Sequence, residues 1–169
     1  MDIFLEKIVS KRKGLKEYLK AVAIVIAALF AAMVATFALP PQGGIVIIGY
    51  VAIIYGAKYF ITNLNVEYEY SITNGDIDID KIINQKKRKH LYSTRCKDIE
   101  LMAKLSSSKY NESIAKAPLI IKAISSMDSP EVYFAVINSN GKKVTLYFEP
   151  NEKMLKSLKT MLGSRLTIE

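Results

Sequence analysis

Three aspartates alternate along one segment of the chain in a pattern that resembles the start of a calcium-binding loop. Asp76, Asp78 and Asp80 stand two positions apart, the spacing at which such a loop supplies its first oxygen ligands. The same loop needs a glycine at its sixth position and a glutamate at its twelfth, where this chain has Lys81 and Lys87. The pattern therefore predicts a solvated acidic face of a strand and not a cation site.

The chain contains one histidine and one cysteine, His90 and Cys96, the residue types most often used for zinc binding and nucleophilic catalysis. Two ligands are too few for a zinc site, and a single cysteine forms no intrachain disulfide. The sequence also lacks a nucleophile elbow, a phosphate-binding glycine loop and a zinc-binding helix motif. We therefore expect no enzyme activity, no catalytic residues, no small-molecule substrate, no metal and no cofactor.

One dense basic run lies in the C-terminal part of a chain whose net charge is +8. Such a run is typical of a solvated loop, but each basic residue near an anionic bilayer also contributes about 1 kcal/mol of attraction. Interleaved aromatic residues and a recognition helix, which would favour nucleic acid, are missing from it. The run is the candidate site of contact with membrane lipid, and it consists of Lys86, Lys87, Arg88 and Lys89.

Two apolar runs, residues 21–39 and 45–61, are separated only by residues 40–44. As helices they would be about 28 and 26 Å long, close to the hydrocarbon thickness of a bilayer. Core helices of a soluble protein can be as apolar, but a chain of 169 residues offers too small a core for two of them. A cleavable signal peptide is disfavoured because the first run is too long and a second follows at once. A transmembrane hairpin is the prediction, with membrane lipid as its surroundings.

Basic residues precede the first apolar run, whereas the connection between the two runs has no charge. This bias predicts a two-span protein of the cell membrane with both termini in the cytoplasm. The residues that decide it are Lys7, Lys11, Arg12, Lys13, Lys16 and Lys20. The predicted domains are a basic cytoplasmic segment (1–20), the hairpin (21–61) and a cytoplasmic domain (62–169).

The cytoplasmic domain begins with two predicted strands joined by a tight turn. Residues 66–73 alternate between apolar and polar side chains, Asn74-Gly75 suits a type I′ turn, and residues 76–83 continue the alternation. Further strands are predicted between His90 and Leu105 and over residues 117–124.

A second hairpin is predicted around Asn140-Gly141, between residues 132–137 and 144–148. The pairing places Ile137 opposite Val144, Ala135 opposite Leu146, Tyr133 opposite Phe148, Val136 opposite Thr145 and Phe134 opposite Tyr147. Both faces are then partly apolar, which predicts that both are covered.

A C-terminal amphipathic helix is predicted after Pro150-Asn151, with Gly163 as its stop signal. Its apolar stripe consists of Met154, Leu155, Leu158, Met161 and Leu162. The predicted fold class is α+β: a two-helix transmembrane hairpin followed by a small antiparallel β-barrel or sandwich that this helix caps.

Residues 68–75, the Lys97-Asp98-Ile99 step and the final helix resemble a pleckstrin-homology-like (PH-like) domain. The whole chain is similar to small bacterial membrane proteins in which a two-helix hairpin precedes such a domain. The resemblance implies a binding scaffold for lipids or proteins, without catalytic machinery.

The leading hypothesis is a membrane-anchored interaction module that binds a protein partner or a second copy of itself, through a sheet edge or the groove beside the helix. One alternative is a sensor of anionic lipid that uses the basic run. Another is an accessory subunit of a membrane transport or envelope complex, in which the hairpin is the binding surface.

Overall fold

A computed structural model of the protein describes residues 4–40, 44–139 and 141–168. These residues form two compact units, one made of residues 12–66 and the other of the described residues up to 11 and from 67 onward. Pro41, Gln42 and Gly43 of the predicted connection and Asn140 of the second predicted turn lie outside the described residues.

The first unit is a helical hairpin of α1 (Leu15–Ala38) and α2 (Ile45–Thr62). Thr36 Oγ1 and Tyr50 OH lie 2.8 Å apart and link the two helices by a hydrogen bond. None of the described residues of either helix is buried. A pair of helices is therefore present at the predicted place, with α1 beginning six positions before the predicted boundary at residue 21 because the basic flank continues the helix.

The second unit contains a four-stranded sheet, here called sheet A, whose strands neighbour one another in the order β1-β2-β3-β4. These strands are β1 (Phe4–Ser10), β2 (Val66–Thr73), β3 (Asp76–Ile83) and β4 (Lys87–Arg95). Asn74 and Gly75 have φ of 50° and 97°, so the turn predicted between β2 and β3 is confirmed.

A five-stranded sheet, sheet B, follows with the order β6-β8-β7-β5-β9. Its strands are β5 (Ile99–Lys104), β6 (Leu119–Lys122), β7 (Tyr133–Ser139), β8 (Lys142–Phe148) and β9 (Leu166–Thr167). The register of β7 on β8 contains all five predicted pairs, which confirms the second hairpin. The short helix α3 (Glu112–Ala115) precedes β6.

The core of this unit forms where α4 (Glu152–Leu162) and the two sheets bury apolar side chains. Tyr70 of sheet A meets Phe148 of sheet B edge to face, with ring centroids 5.8 Å apart. Met154 and Leu158 of α4 are fully buried, as the predicted stripe requires. A separate cluster around Phe134 covers the other face of sheet B, so both faces of the second hairpin are covered, as predicted.

The described strands differ from the predicted antiparallel barrel in two ways. They form two sheets and no closed barrel, and β6 on β8 and β5 on β9 are parallel pairs. In sheet B, β8 lies between β6 and β7, so β6 pairs with β8 and not with the strand that follows it in sequence. In addition, residues 4–10 form a strand of sheet A, although the sequence placed them in a flanking segment.

Candidate functional site

The basic run lies at the turn between β3 and β4. Asn84 and Gln85 form this turn with φ of 52° and 54°, and the Lys86 N–H donates to the Ile83 carbonyl oxygen at 3.1 Å. All four basic side chains of the run are exposed. The turn thus presents them to solvent at the end of a strand pair.

Arg88 differs from the three lysines of the run because its guanidinium contacts carboxylates. Its Nη2 lies 2.5 Å from Glu69 Oε2, and its Nε lies 3.9 Å from Asp80 Oδ2. Within the described part of the chain, Lys86, Lys87 and Lys89 form no ion pair. Three of the four predicted lipid contacts are therefore available to an external anion, whereas Arg88 is already paired.

The partners of Arg88 belong to a cleft on the outer face of sheet A, which we call the acidic cleft. It has a volume of about 300 Å³ and brings together strands β1, β2, β3 and β4. The residues that line it include Phe4, Glu6, Glu69, Asp78, Asp80 and Arg88. Four carboxylates face one guanidinium, so the cleft is a site for positive charge.

Glu69 is the buried acid of this cleft, with a side chain that is 9% exposed. Burial raises its pKa above the usual range, and a hydrogen bond with Glu6 raises the pKa further. The charge of Arg88 lowers this pKa, while the charges of Glu6 and Asp80 raise it. The pKa of Glu69 is raised overall, so the charge of Arg88 does not offset the combined effect of burial, the hydrogen bond with Glu6 and the neighbouring carboxylates.

Two of the three aspartates with calcium-loop spacing, Asp78 and Asp80, contact side chains of the neighbouring strand. Asp80 Oδ1 lies 2.9 Å from His90 Nδ1, and His90 Nε2 lies 3.1 Å from Ser93 Oγ. The Ser93 hydroxyl also donates to Asp78. These hydrogen bonds, which include those of His90, join β3 to β4 along the acidic face.

Cys96 lies away from this face, in a short 3₁₀ turn between β4 and β5. Its Sγ is 3.7 Å from Met161 Sδ of α4, and the residue is 5% exposed. Burial raises the pKa of the thiol to about 11, so the thiol is protonated at neutral pH. The arrangement suits a packing role between a turn and the helix.

A second cleft, of about 650 Å³, lies beside α4 and β9. Two lysine ammonium groups in it are used to fix the C-terminal strand. Lys159 Nζ donates to the Leu166 carbonyl oxygen and Lys109 Nζ donates to Thr167 Oγ1, both at 2.6 Å. The groove beside the helix is thus occupied along β5 by the chain's own strand β9.

Sequence reasoning missed the contribution of Glu6 to the acidic cleft. Glu6 pairs with Ser71 across the β1–β2 ladder and lies within hydrogen-bonding reach of Glu69. The available signal was the β-prone composition of residues 3–9, which contains two isoleucines, a phenylalanine and a valine. It was not used because the basic residues nearby suggested a membrane flank.

The family model described as "Bacterial PH-like domain (DUF6106)" matches residues 1–168. No curated protein and no solved structure matches the chain significantly.

Proposed function

Because the chain belongs to the bacterial PH-like domain family, we propose that it is a membrane-anchored interaction module. In this proposal α1 and α2 cross the bilayer, and the PH-like domain binds a protein partner, or a second copy of the chain, at the cytoplasmic surface. The observation that carries the proposal is a helical hairpin that buries none of its described residues, attached to a domain with a complete core of its own.

The hairpin has the dimensions that a bilayer requires. Helices of 24 and 18 residues are about 36 and 27 Å long, against a hydrocarbon thickness of about 30 Å. Large apolar side chains such as Phe30, Phe37, Ile48 and Ile54 are 62%, 86%, 68% and 64% exposed. In water this exposed apolar surface would promote aggregation, whereas in a bilayer it would contact lipid tails.

The basic residues before the first span support a cytoplasmic location for both termini. Lys11, Arg12 and Lys13 immediately precede α1, and Lys16 and Lys20 lie in its first turns. Lysine and arginine next to a span favour the cytoplasmic side. The PH-like domain, which consists of β1 before the first span and of the residues after the second span, would then face the cytoplasm.

Binding is favoured over catalysis by what the clefts contain. The acidic cleft combines carboxylates with an arginine that is already paired, and the thiol of Cys96 is buried and protonated. PH-like folds generally present sheet edges and grooves to partners, which is the use we propose here.

Photocrosslinking in native membranes tests the proposal. A photoreactive residue placed at exposed positions of the PH-like domain should yield a discrete crosslinked product, identified by mass spectrometry. Replacing both helices by unrelated spans should leave that product unchanged. Loss of the product on helix replacement would instead assign the binding surface to the hairpin, as in an accessory subunit of a membrane complex.

A second candidate function is contact with anionic lipid, favoured by the exposed and unpaired state of Lys86, Lys87 and Lys89 among the described residues. The full-length protein in nanodiscs of phosphatidylserine should show slower amine labelling of these lysines than in nanodiscs of phosphatidylcholine. Lys142, an exposed lysine on the other hairpin, is the matched control. Equal labelling in both lipids would discard this candidate.

A further inference from the structure

The two edges of sheet A differ in how well they are protected against a further strand. The edge strand β4 begins with basic side chains. Its pairing with β3 is also irregular, since Ile79 pairs with Tyr92 whereas the next residue, Asp80, pairs with His90. Lysines and bulges are the usual means by which proteins block pairing at an edge. Strand β4 is therefore a protected edge.

The opposite edge, β1, is less protected because it has no bulge and its one lysine, Lys7, lies on the face of Leu5 and Val9, away from Glu6. Its seven residues pair with β2 in one continuous register, without a bulge and without proline. Phe4 and Ile8 are 64% and 51% exposed on the face that also carries Glu6. In the described residues β1 pairs only with β2, so its other side presents backbone donors and acceptors to an added strand.

Charge decides which kind of strand fits this edge. A residue placed beside Glu6 on the outer face also meets the acidic cleft, where Glu69 and Asp80 share one arginine. Cross-strand pairs of opposite charge are favourable and pairs of like charge are not. A basic side chain is therefore the complement of this face.

A second copy of β1 fits poorly for the same reason. Antiparallel pairing of β1 with itself about its centre would place Lys7 directly opposite Lys7 of the other copy. It would also bring two acidic clefts onto one continuous face. Both juxtapositions oppose association, since like charges repel.

We propose that the free edge of β1 accepts an extended segment of a partner protein as an added strand, with lysine or arginine on the face that meets Glu6 and the acidic cleft. The inference rests on the proposed function and specifies the partner's chemistry: a β-strand whose alternate residues are basic. Main-chain hydrogen bonds supply affinity, and the basic residues supply specificity.

Synthetic peptides test the inference with the full-length protein in nanodiscs. The probe is a nine-residue peptide in which lysine alternates with valine. Two control peptides are compared with it. In one, glutamate replaces every lysine; in the other, alternate backbone nitrogens are methylated. The lysine peptide should bind and should protect residues 4–10 from amide hydrogen exchange, whereas neither comparator should bind measurably.

Variants of the protein locate the effect. Reversing the charge next to the added strand by Glu6→Lys should weaken binding about tenfold, and Glu6→Gln should weaken it by a smaller factor. Glu131→Lys makes the same change of charge at an exposed loop position and should leave affinity unchanged. Binding of the methylated or glutamate peptide, or equal losses for Glu6→Lys and Glu131→Lys, would overturn the inference. A crosslinked partner mapped to another surface would overturn it while leaving the proposed function intact.

Discussion

Replacing Arg88 by glutamine isolates the energetic role of the acidic cleft. The Glu69 side chain is 9% exposed, and Arg88 contacts it at 2.5 Å. Without this cation the buried carboxylate keeps Glu6 and Asp80 as like-charged neighbours. A buried charged group that loses its partner typically costs about 1–3 kcal/mol, so we expect the free energy of unfolding to fall by about this amount at neutral pH.

The loss should depend on pH in a defined direction. The pKa of Glu69 in the folded protein is raised above its ordinary value of 4.5, so the folded state binds this proton more readily than the unfolded chain does. The resulting stabilisation is present at low pH and disappears as the pH rises through the folded pKa. Arg88→Gln removes the cation that lowers this pKa, so the penalty should be largest near neutral pH and shrink towards pH 4.5.

Amide hydrogen exchange in the full-length protein measures this effect in strand β2. A loss of about 1–3 kcal/mol corresponds to exchange that is about 5- to 150-fold faster at neutral pH. Adding Glu69→Gln to Arg88→Gln removes the unpaired charge and should restore most of the protection. Unchanged exchange in Arg88→Gln, or no rescue by the second substitution, would refute the assigned role of this ion pair.

Three further predictions concern packing, backbone conformation and reactivity. Leu158→Ala, at a fully buried position of α4, should lower the free energy of unfolding, measured by urea titration, by about 2–5 kcal/mol. Thr160→Ala, on the exposed side of the same helix, should change it by less than about 0.5 kcal/mol. Gly75→Ala, at φ of 97°, should cost about 1–2 kcal/mol by the same measurement, and a loss no larger than that of Gly56→Ala would contradict the turn geometry. Cys96, whose burial raises the thiol pKa to about 11, should react with iodoacetamide at pH 7.5 at least about tenfold more slowly than in urea; equal rates would contradict its burial.

Local patterns were sufficient to predict the second hairpin and the C-terminal helix. Alternation and a glycine turn fix which residues face one another, so the pairing of Ile137 with Val144 followed from the sequence alone. The Asn151 side chain accepts a hydrogen bond from the Met154 N–H, and Gly163 ends the helix with φ of 59°. Both are signals that adjacent residues provide.

Strand β1 and the parallel pairs could not be predicted in this way. Ser10 contacts Glu67 across 57 positions of sequence, and the apolar hairpin that separates them masks any relation between the strands. Strands β6 and β9 have four and two residues, too few for a period to be visible.

Only part of the candidate site was accessible from sequence. The exposure of the basic run follows from its composition and from its place after a strand. The pairing of Arg88 with Glu69 does not, because it depends on the irregular register of β4 and on the approach of β1 from elsewhere in the chain. The acidic cleft is a product of tertiary structure.

Cysteine accessibility in intact cells tests the membrane hairpin most directly. In a Cys96→Ser background, Gln42→Cys places a thiol between the two apolar helices, and Lys116→Cys places one on the PH-like domain. The cells are prepared so that the cytoplasmic membrane is unbroken and the reagent can reach its outer surface. A membrane-impermeant maleimide should then label the thiol at position 42. The thiol at position 116 should be labelled only after permeabilisation. Labelling of position 116 without permeabilisation would contradict a cytoplasmic domain. Recovery of the protein in the aqueous fraction without detergent would contradict a two-span anchor.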